Sequence, residues 1–181
     1  MMSAVTPEFS RSYALSAMGA LRKPVSIVAS ESERGALALR FSLAALDRLE
    51  ATVTLAADGD AVIASGRMTA VLSQYCAATG EPVAASIAEP LLIRFVPSST
   101  DQTPRDEIEI DPGDADIVEH DGQSIDLGEA VAQSLALALD PFPRAPGASE
   151  TLRAAGVVGE DEVGNGAFAD LKAMLGSKSP S

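Results

Sequence analysis

Residues 49–56 alternate strictly. Leu49, Ala51, Val53 and Leu55 point one way, and Glu50, Thr52 and Thr54 the other. A period of two with β-branched residues predicts a strand buried on one face. Asp58-Gly59-Asp60 supplies a turn. Residues 61–76 continue the pattern, with Val62, Ala64, Met68, Ala70 and Leu72 on one face and Arg67, Thr69 and Ser73 on the other. Gly66 interrupts the apolar set and predicts a bend or bulge. The chain turns at residues 79–82 and returns through 83–87 and 91–96. Pro90 stands between these two runs, so the return strand is expected to be kinked or split. Residues 9–15 and 25–29 are short β-like runs, and 117–119 are expected to add one more.

Two helices carry start signals. Ser30-Glu31-Ser32-Glu33 has the spacing of a capping box, in which Ser30 accepts from the Glu33 amide and the Glu33 side chain reaches back. A helix over 31–41 follows, with Leu37 and Phe41 one turn apart and weakened by Gly35. Asp126 and Glu129 repeat the spacing ahead of a stripe of Leu127, Val131, Leu135 and Ala138, which Asp140-Pro141 stops. Phe168, Leu171 and Leu175 fit a third, short amphipathic helix over 167–175, suited either to docking on a partner or to packing on the protein's own sheet.

The fold class expected is therefore α+β. It is an antiparallel β-meander of five to seven strands, able to curl toward a barrel, with two packed helices, an acidic loop and a mobile C-terminal tail. Residues 1–141 form one domain with the loop 98–116 inserted, and 142–181 form a Pro/Gly-rich tail. The 181 residues suit one such domain.

Charge changes the picture by its placement. The formal net charge is −13, yet residues 1–97 hold nine acids against eight bases. Residues 98–130 hold eleven acids and the single base Arg105. A uniformly acidic surface would argue against a phosphate-backbone ligand, and a segregated one leaves the question open. One cysteine rules out an internal disulfide and fits a reducing compartment. Met1–Ala20 is broken by Pro7, Glu8 and Arg11, and no apolar run reaches membrane-spanning length, so a cytoplasmic location and no membrane partner are expected.

Candidate chemistry is sparse. The only histidine, His120, lies between Glu119 and Asp121 and reads as a solvated turn residue. No nucleophile elbow, P-loop or G-x-G-x-x-G occurs. Asp58 with Asp60, and Asp114 with Asp116, sit in turn and linker contexts that favour solvation over tuned acid–base pairing. An enzyme would require convergent titratable groups in one pocket. One Cys and one His cannot build a zinc site, and residues 111–116 lack EF-hand spacing. No catalytic residue, metal, cofactor or small-molecule substrate is expected. Arg67 and Arg94 lie on paired strands. They form a small basic face, possible RNA-facing residues, if both point outward; otherwise they are solvated strand arginines.

Three stretches carry a resemblance. Residues 74–83, Gln74-Tyr75-Cys76-Ala77-Ala78-Thr79-Gly80-Glu81-Pro82-Val83, resemble the hallmark turn of the bacterial YceD family, the large ribosomal RNA subunit accumulation proteins. In that turn a strand ends in Cys-x-x-Cys or Cys-x-x-Thr before a polar step and Pro. Ile125-Asp126-Leu127-Gly128-Glu129, with a helix ending in residues 137–143, resembles its second hallmark. Phe168-Ala169-Asp170-Leu171-Lys172 resembles its closing element, and the helix-then-strand order of 30–55 resembles the alphaproteobacterial branch. Gln74, Cys76, Thr79, Gly80, Pro82, Asp126, Leu127 and Glu129 are thus the family-motif residues. Thr79 stands where many members carry a second Cys, so no thiol pair exists and Cys76 acts alone, as a buried strand-end thiol.

The resemblance implies a non-catalytic factor in large-subunit biogenesis that supports accumulation of large-subunit rRNA by binding rRNA or a precursor particle. An acidic adaptor that binds a basic ribosomal protein through residues 98–129 is the alternative. Either function requires segments 66–97 and 125–143 to fold onto each other as one body.

Overall fold

A computed structural model describes residues 7–20, 23–98 and 115–157. The expected element 167–175 and most of the acidic loop lie outside these residues. Five strands form one open sheet in the order β2-β3-β4-β5-β6: β2 (Val25–Val28), β3 (Ala45–Asp58), β4 (Ala61–Tyr75), β5 (Pro82–Pro97) and β6 (Asp116–His120). A separate two-stranded sheet pairs β1 (Ser12–Ala14) with β7 (Ser124–Asp126). The helices are α1 (Glu31–Arg40), α2 (Leu127–Ala138) and α3 (Ala148–Ala154), with a 3-10 turn at Leu15–Ala20. The fold is α+β, and the large sheet ends at β2 and β6 without closing into a barrel.

The alternation read from sequence is the alternation of burial. Leu49, Val53, Leu55, Val62, Ala64, Met68, Ala70 and Leu72 are all buried. They join Leu91, Ile93 and Phe95 of β5 in one core, closed by Leu37 of α1, by Leu127, Val131 and Leu135 of α2, and by Phe9. Strands β2 to β5 form the antiparallel meander. β6 departs from it by pairing parallel to β5, with Ile93 opposite Asp116 and Pro97 opposite His120. Parallel neighbours need a long crossover, which residues 98–115 supply.

Three local expectations are corrected. β5 runs unbroken through Pro90, which pairs with Arg67. β6 pairs only residues 93–97, so Pro90 sits where β5 has no outer neighbour and its missing N–H costs no ladder bond. The register shift lies between Leu46 and Arg48, not at Gly66. Gly66 instead lies opposite Val53 of β3, where a Cβ would collide with the Thr52 carbonyl oxygen. It marks close backbone approach, the other meaning of a strand glycine. Residues 142–157, read as irregular from their composition, contain α3, whose Ala148 is buried.

Candidate functional site

The first motif is a six-residue connection between β4 and β5. The Cys76 amide donates to the Glu81 carbonyl (2.8 Å) and the Gly80 amide to the Cys76 carbonyl (2.9 Å). Gly80 takes φ +74°, a left-handed conformation that favours glycine. Pro82 opens β5 opposite Tyr75. The chain leaving α2 passes over this turn. Gln74 Nε2 donates to the Asp140 carbonyl (2.8 Å), the Ala77 amide to the Pro143 carbonyl (2.8 Å), and the Ala145 amide to Cys76 Sγ (3.3 Å).

Cys76 is buried, as expected for a strand-end thiol. Its sulfur is nevertheless well supplied with donors. The Thr79 side chain, followed by the Ala145 amide, pulls its pKa down from an ordinary 9.0 to about 7, against the opposing effect of desolvation. The Thr79 hydroxyl also accepts from the Glu81 amide (3.3 Å), inside the same turn.

The second motif is built around Asp126, the N-cap of α2. Its Oδ1 accepts from the Glu129 amide (3.1 Å) and from the Arg11 amide (2.8 Å), and its Oδ2 accepts from the Ser10 hydroxyl (2.6 Å). The Leu127 amide donates to the Arg11 carbonyl (3.0 Å). One carboxylate therefore caps a helix and fastens the N-terminal segment against it. Gly128 permits the approach, since a Cβ there would lie 2.5 Å from the Phe9 carbonyl oxygen. Leu127 beside it is fully buried.

Glu129 and α1 complete a polar belt. Arg40 forms a bidentate pair with Glu129 (2.8 and 2.9 Å) and also reaches Glu8 (2.9 Å). Arg11 pairs with Glu33 (2.7 and 3.0 Å) while Glu33 completes the α1 capping box with Ser30. The Arg11 guanidinium holds the Glu33 carboxyl at about 2. Arg40 likewise lowers the Glu129 carboxyl from the usual carboxylate range. Sequence reasoning found both capping signals but missed Arg11, Arg40 and Gly128 as their partners. A glycine in the first turn of a strongly patterned helix was the one available signal, because alanine is the better helix former there.

Arg67 and Arg94 both point away from the core. They are not equivalent. Arg94 is paired with Asp58 (3.0 Å), whereas Arg67 makes no ion pair among the described residues and donates to the Ala88 carbonyl (3.2 Å). Arg94 lies opposite Ile63 on β4, four residues from Arg67, which places the two roughly 13 Å apart along the strand. The remainder of this open face mixes Ser and Thr with the acids Glu50 and Glu119 and with exposed Val28, Val71, Leu92 and Ile117.

His120 is not the solvated turn residue expected. It is 7% exposed, because the parallel register with β5 turns it toward the 3-10 segment. Its Nδ1 accepts from the Gly122 amide (3.0 Å), and its Nε2 is buried without a partner among the described residues. It lines a cavity of about 320 Å³ with Leu15, Gly59, Asp60 and Pro97. Asp60 is the other titratable group there, and no Ser, Cys or Lys lines the cavity as a nucleophile. Among the described residues no group of three or more His, Cys, Asp or Glu is arranged to hold a metal. No helix among them is long and apolar enough to cross a membrane.

The two motifs are therefore parts of one body, joined by the core and by the bonds from residues 140–145 to the hairpin turn. Comparison with curated proteins and with solved structures finds no match. The sequence model of the family described as Large ribosomal RNA subunit accumulation protein YceD matches residues 64–175, a stretch that contains both motifs and more than half of the chain. The chain belongs to the YceD family.

Proposed function

We propose that this protein is a non-catalytic factor in large ribosomal subunit biogenesis, supporting accumulation of large-subunit rRNA by binding rRNA or a precursor particle. The observation that carries the reading is the family match across residues 64–175. The geometry supports a binding role over a chemical one. The family-motif residues are spent on holding the fold together: Asp126 on three donors, Glu129 on Arg40, and Cys76 on the turn it closes.

The RNA-facing surface is the open face of the sheet around Arg67, whose guanidinium makes no ion pair among the described residues. Arg94 contributes less because Asp58 neutralises it. Arg67→Glu, alone or with Arg94→Glu, should lower retention of large-subunit rRNA in a crosslinking assay while the fold stays intact by circular dichroism. A deletion strain should accumulate less of the large subunit on a sedimentation gradient. Normal large-subunit levels in every growth condition would overturn the role itself, and unchanged crosslinking in the arginine variants would overturn the surface.

A further inference from the structure

β5 spans Pro82–Pro97, but β6 covers it only from Ile93 onward. Among the described residues, 82–92 have β4 on one side and no strand on the other. Unpaired backbone along an edge is a template for another strand, and natural edges are usually blunted by lysines, prolines or bulges. This one is lightly defended. Val83-Ala84-Ala85-Ser86-Ile87-Ala88 carries no charge, and only Glu89 and Pro90 interrupt the apolar run before β6 begins.

A groove runs beside this edge, on the helix-covered face of the sheet. Two adjoining depressions, of about 340 and 150 Å³, lie between α2 and the β5–β6 edge and share Asp116, Ser134 and Leu137. Met68, Leu91, Ile93 and Ala130 are the buried apolar residues of their lining. Leu137 stands at the lip, 77% exposed on a helix whose other leucines, Leu127 and Leu135, are fully buried.

The rim is acidic. Glu89 and Asp116 are exposed, and neither joins an ion pair among the described residues. Asp116 is also where the run 98–116, with seven acids and only Arg105 opposing them, rejoins the sheet. Apolar lining, acidic rim and open strand edge coincide at one place.

We propose that this edge and groove dock a basic segment of a partner protein, which adds to β5 as an extended strand. Alternate side chains of such a strand enter the groove under α2, and its lysines or arginines meet Glu89 and Asp116 at the rim. Charge complementarity selects this occupant. RNA is repelled by the rim. A second copy would bring two acidic rims together. The chain's own Phe168–Leu175 stretch, with Asp170 and Lys172, has no net charge to offer. The surface lies on the opposite face of the sheet from Arg67, so the inference goes beyond the RNA contact proposed above and stands or falls separately.

The test titrates the full chain against a labelled peptide of alternating lysine and valine, read by fluorescence anisotropy, with the glutamate–valine peptide as control. Glu89→Lys with Asp116→Lys should weaken binding about tenfold, and Leu137→Glu should weaken it again, whereas Arg67→Glu should leave it unchanged. All of these positions are exposed, so the variants should keep wild-type circular dichroism. Hydrogen exchange provides the second readout. Amides of residues 83–88 should become protected when the lysine–valine peptide is added. Equal binding of both peptides, unchanged affinity in the groove variants, or no gain in protection overturns the proposal. So does a rise in peptide affinity of about tenfold on Phe168→Asp with Leu171→Asp, which would assign the groove to the chain's own C-terminal segment. A dimer that Leu137→Glu converts to monomer by light scattering would assign it to a second copy and overturn the proposal likewise.

Discussion

Three glycines with similar local sequence roles have different structural ones. Gly66 and Gly128 face backbone atoms of other segments, so an added methyl group has no flexible side chain to displace. Gly66→Ala and Gly128→Ala should each lower stability by about 3 kcal/mol, as overpacking against an unyielding neighbour does. Gly35 sits on the exposed side of α1 with nothing within 4 Å of its Cβ position. Gly35→Ala should raise stability by about 0.5–1 kcal/mol. Urea unfolding of the three variants checks the opposed signs. Cys76 gives a second test at this scale. Its thiol is held at about 7 in the fold against an ordinary 9.0. A depressed folded pKa contributes stability that is full above the unfolded value and is lost as pH falls through the folded one. Between about pH 7 and 9, stability should therefore rise with pH, and Cys76→Ser should flatten that rise. Thr79→Val, which removes the largest influence lowering the thiol, should move the thiolate absorbance transition upward toward 9.0.

At the scale of elements, short-range signals were legible and their long-range partners were not. Ser30 and Glu33 announced α1 because a capping box is a local motif, four residues that satisfy one another. Arg11 pairs with the same Glu33 from twenty-two positions away, and no spacing rule reports that. The period of two marked β3 and β4 because each has one wet face. It said nothing of the direction of β6, which depends on how residues 98–115 cross over. Pro90 misled because proline forbids a ladder bond only where a ladder exists, and the sequence does not reveal where β5 becomes an edge. The Arg11–Glu33 pair has a measurable consequence. With the Glu33 carboxyl at about 2 in the fold and 4.5 as its ordinary value, its contribution is present above pH 4.5 and is lost as pH falls toward 2. Arg11→Gln should make the acid limb of a stability–pH curve shallower in that window and leave the neutral limb parallel to wild type. Asp126→Ala should cost more than a cap alone, because it frees the Ser10 hydroxyl and the Arg11 amide along with the Glu129 amide. The expected loss is about 2–3 kcal/mol in urea unfolding.

For the molecule as a whole, the decisive property is that charge is segregated: residues 1–97 are nearly neutral, whereas residues 98–130 hold eleven acids against one base. The acidic run 98–116 leaves the sheet at the end of β5 and returns at Asp116, opposite Ile93 and next to Arg94. A run of this sign attracts a cationic strand and repels a phosphate backbone, so one set of substitutions should move the two activities in opposite directions. Asp106→Asn, Glu107→Gln, Glu109→Gln and Asp111→Asn together remove four charges from the run. The combined variant should bind the lysine–valine peptide several-fold more weakly and retain rRNA several-fold more strongly, both measured at low salt. Screening supplies the internal control. The Debye length falls from about 30 Å at 0.01 M to about 3 Å at 1 M salt, so both differences should shrink as salt rises. A change of the same sign in both assays, or one that survives high salt, would mean that the run acts by contact with one ligand rather than through its field.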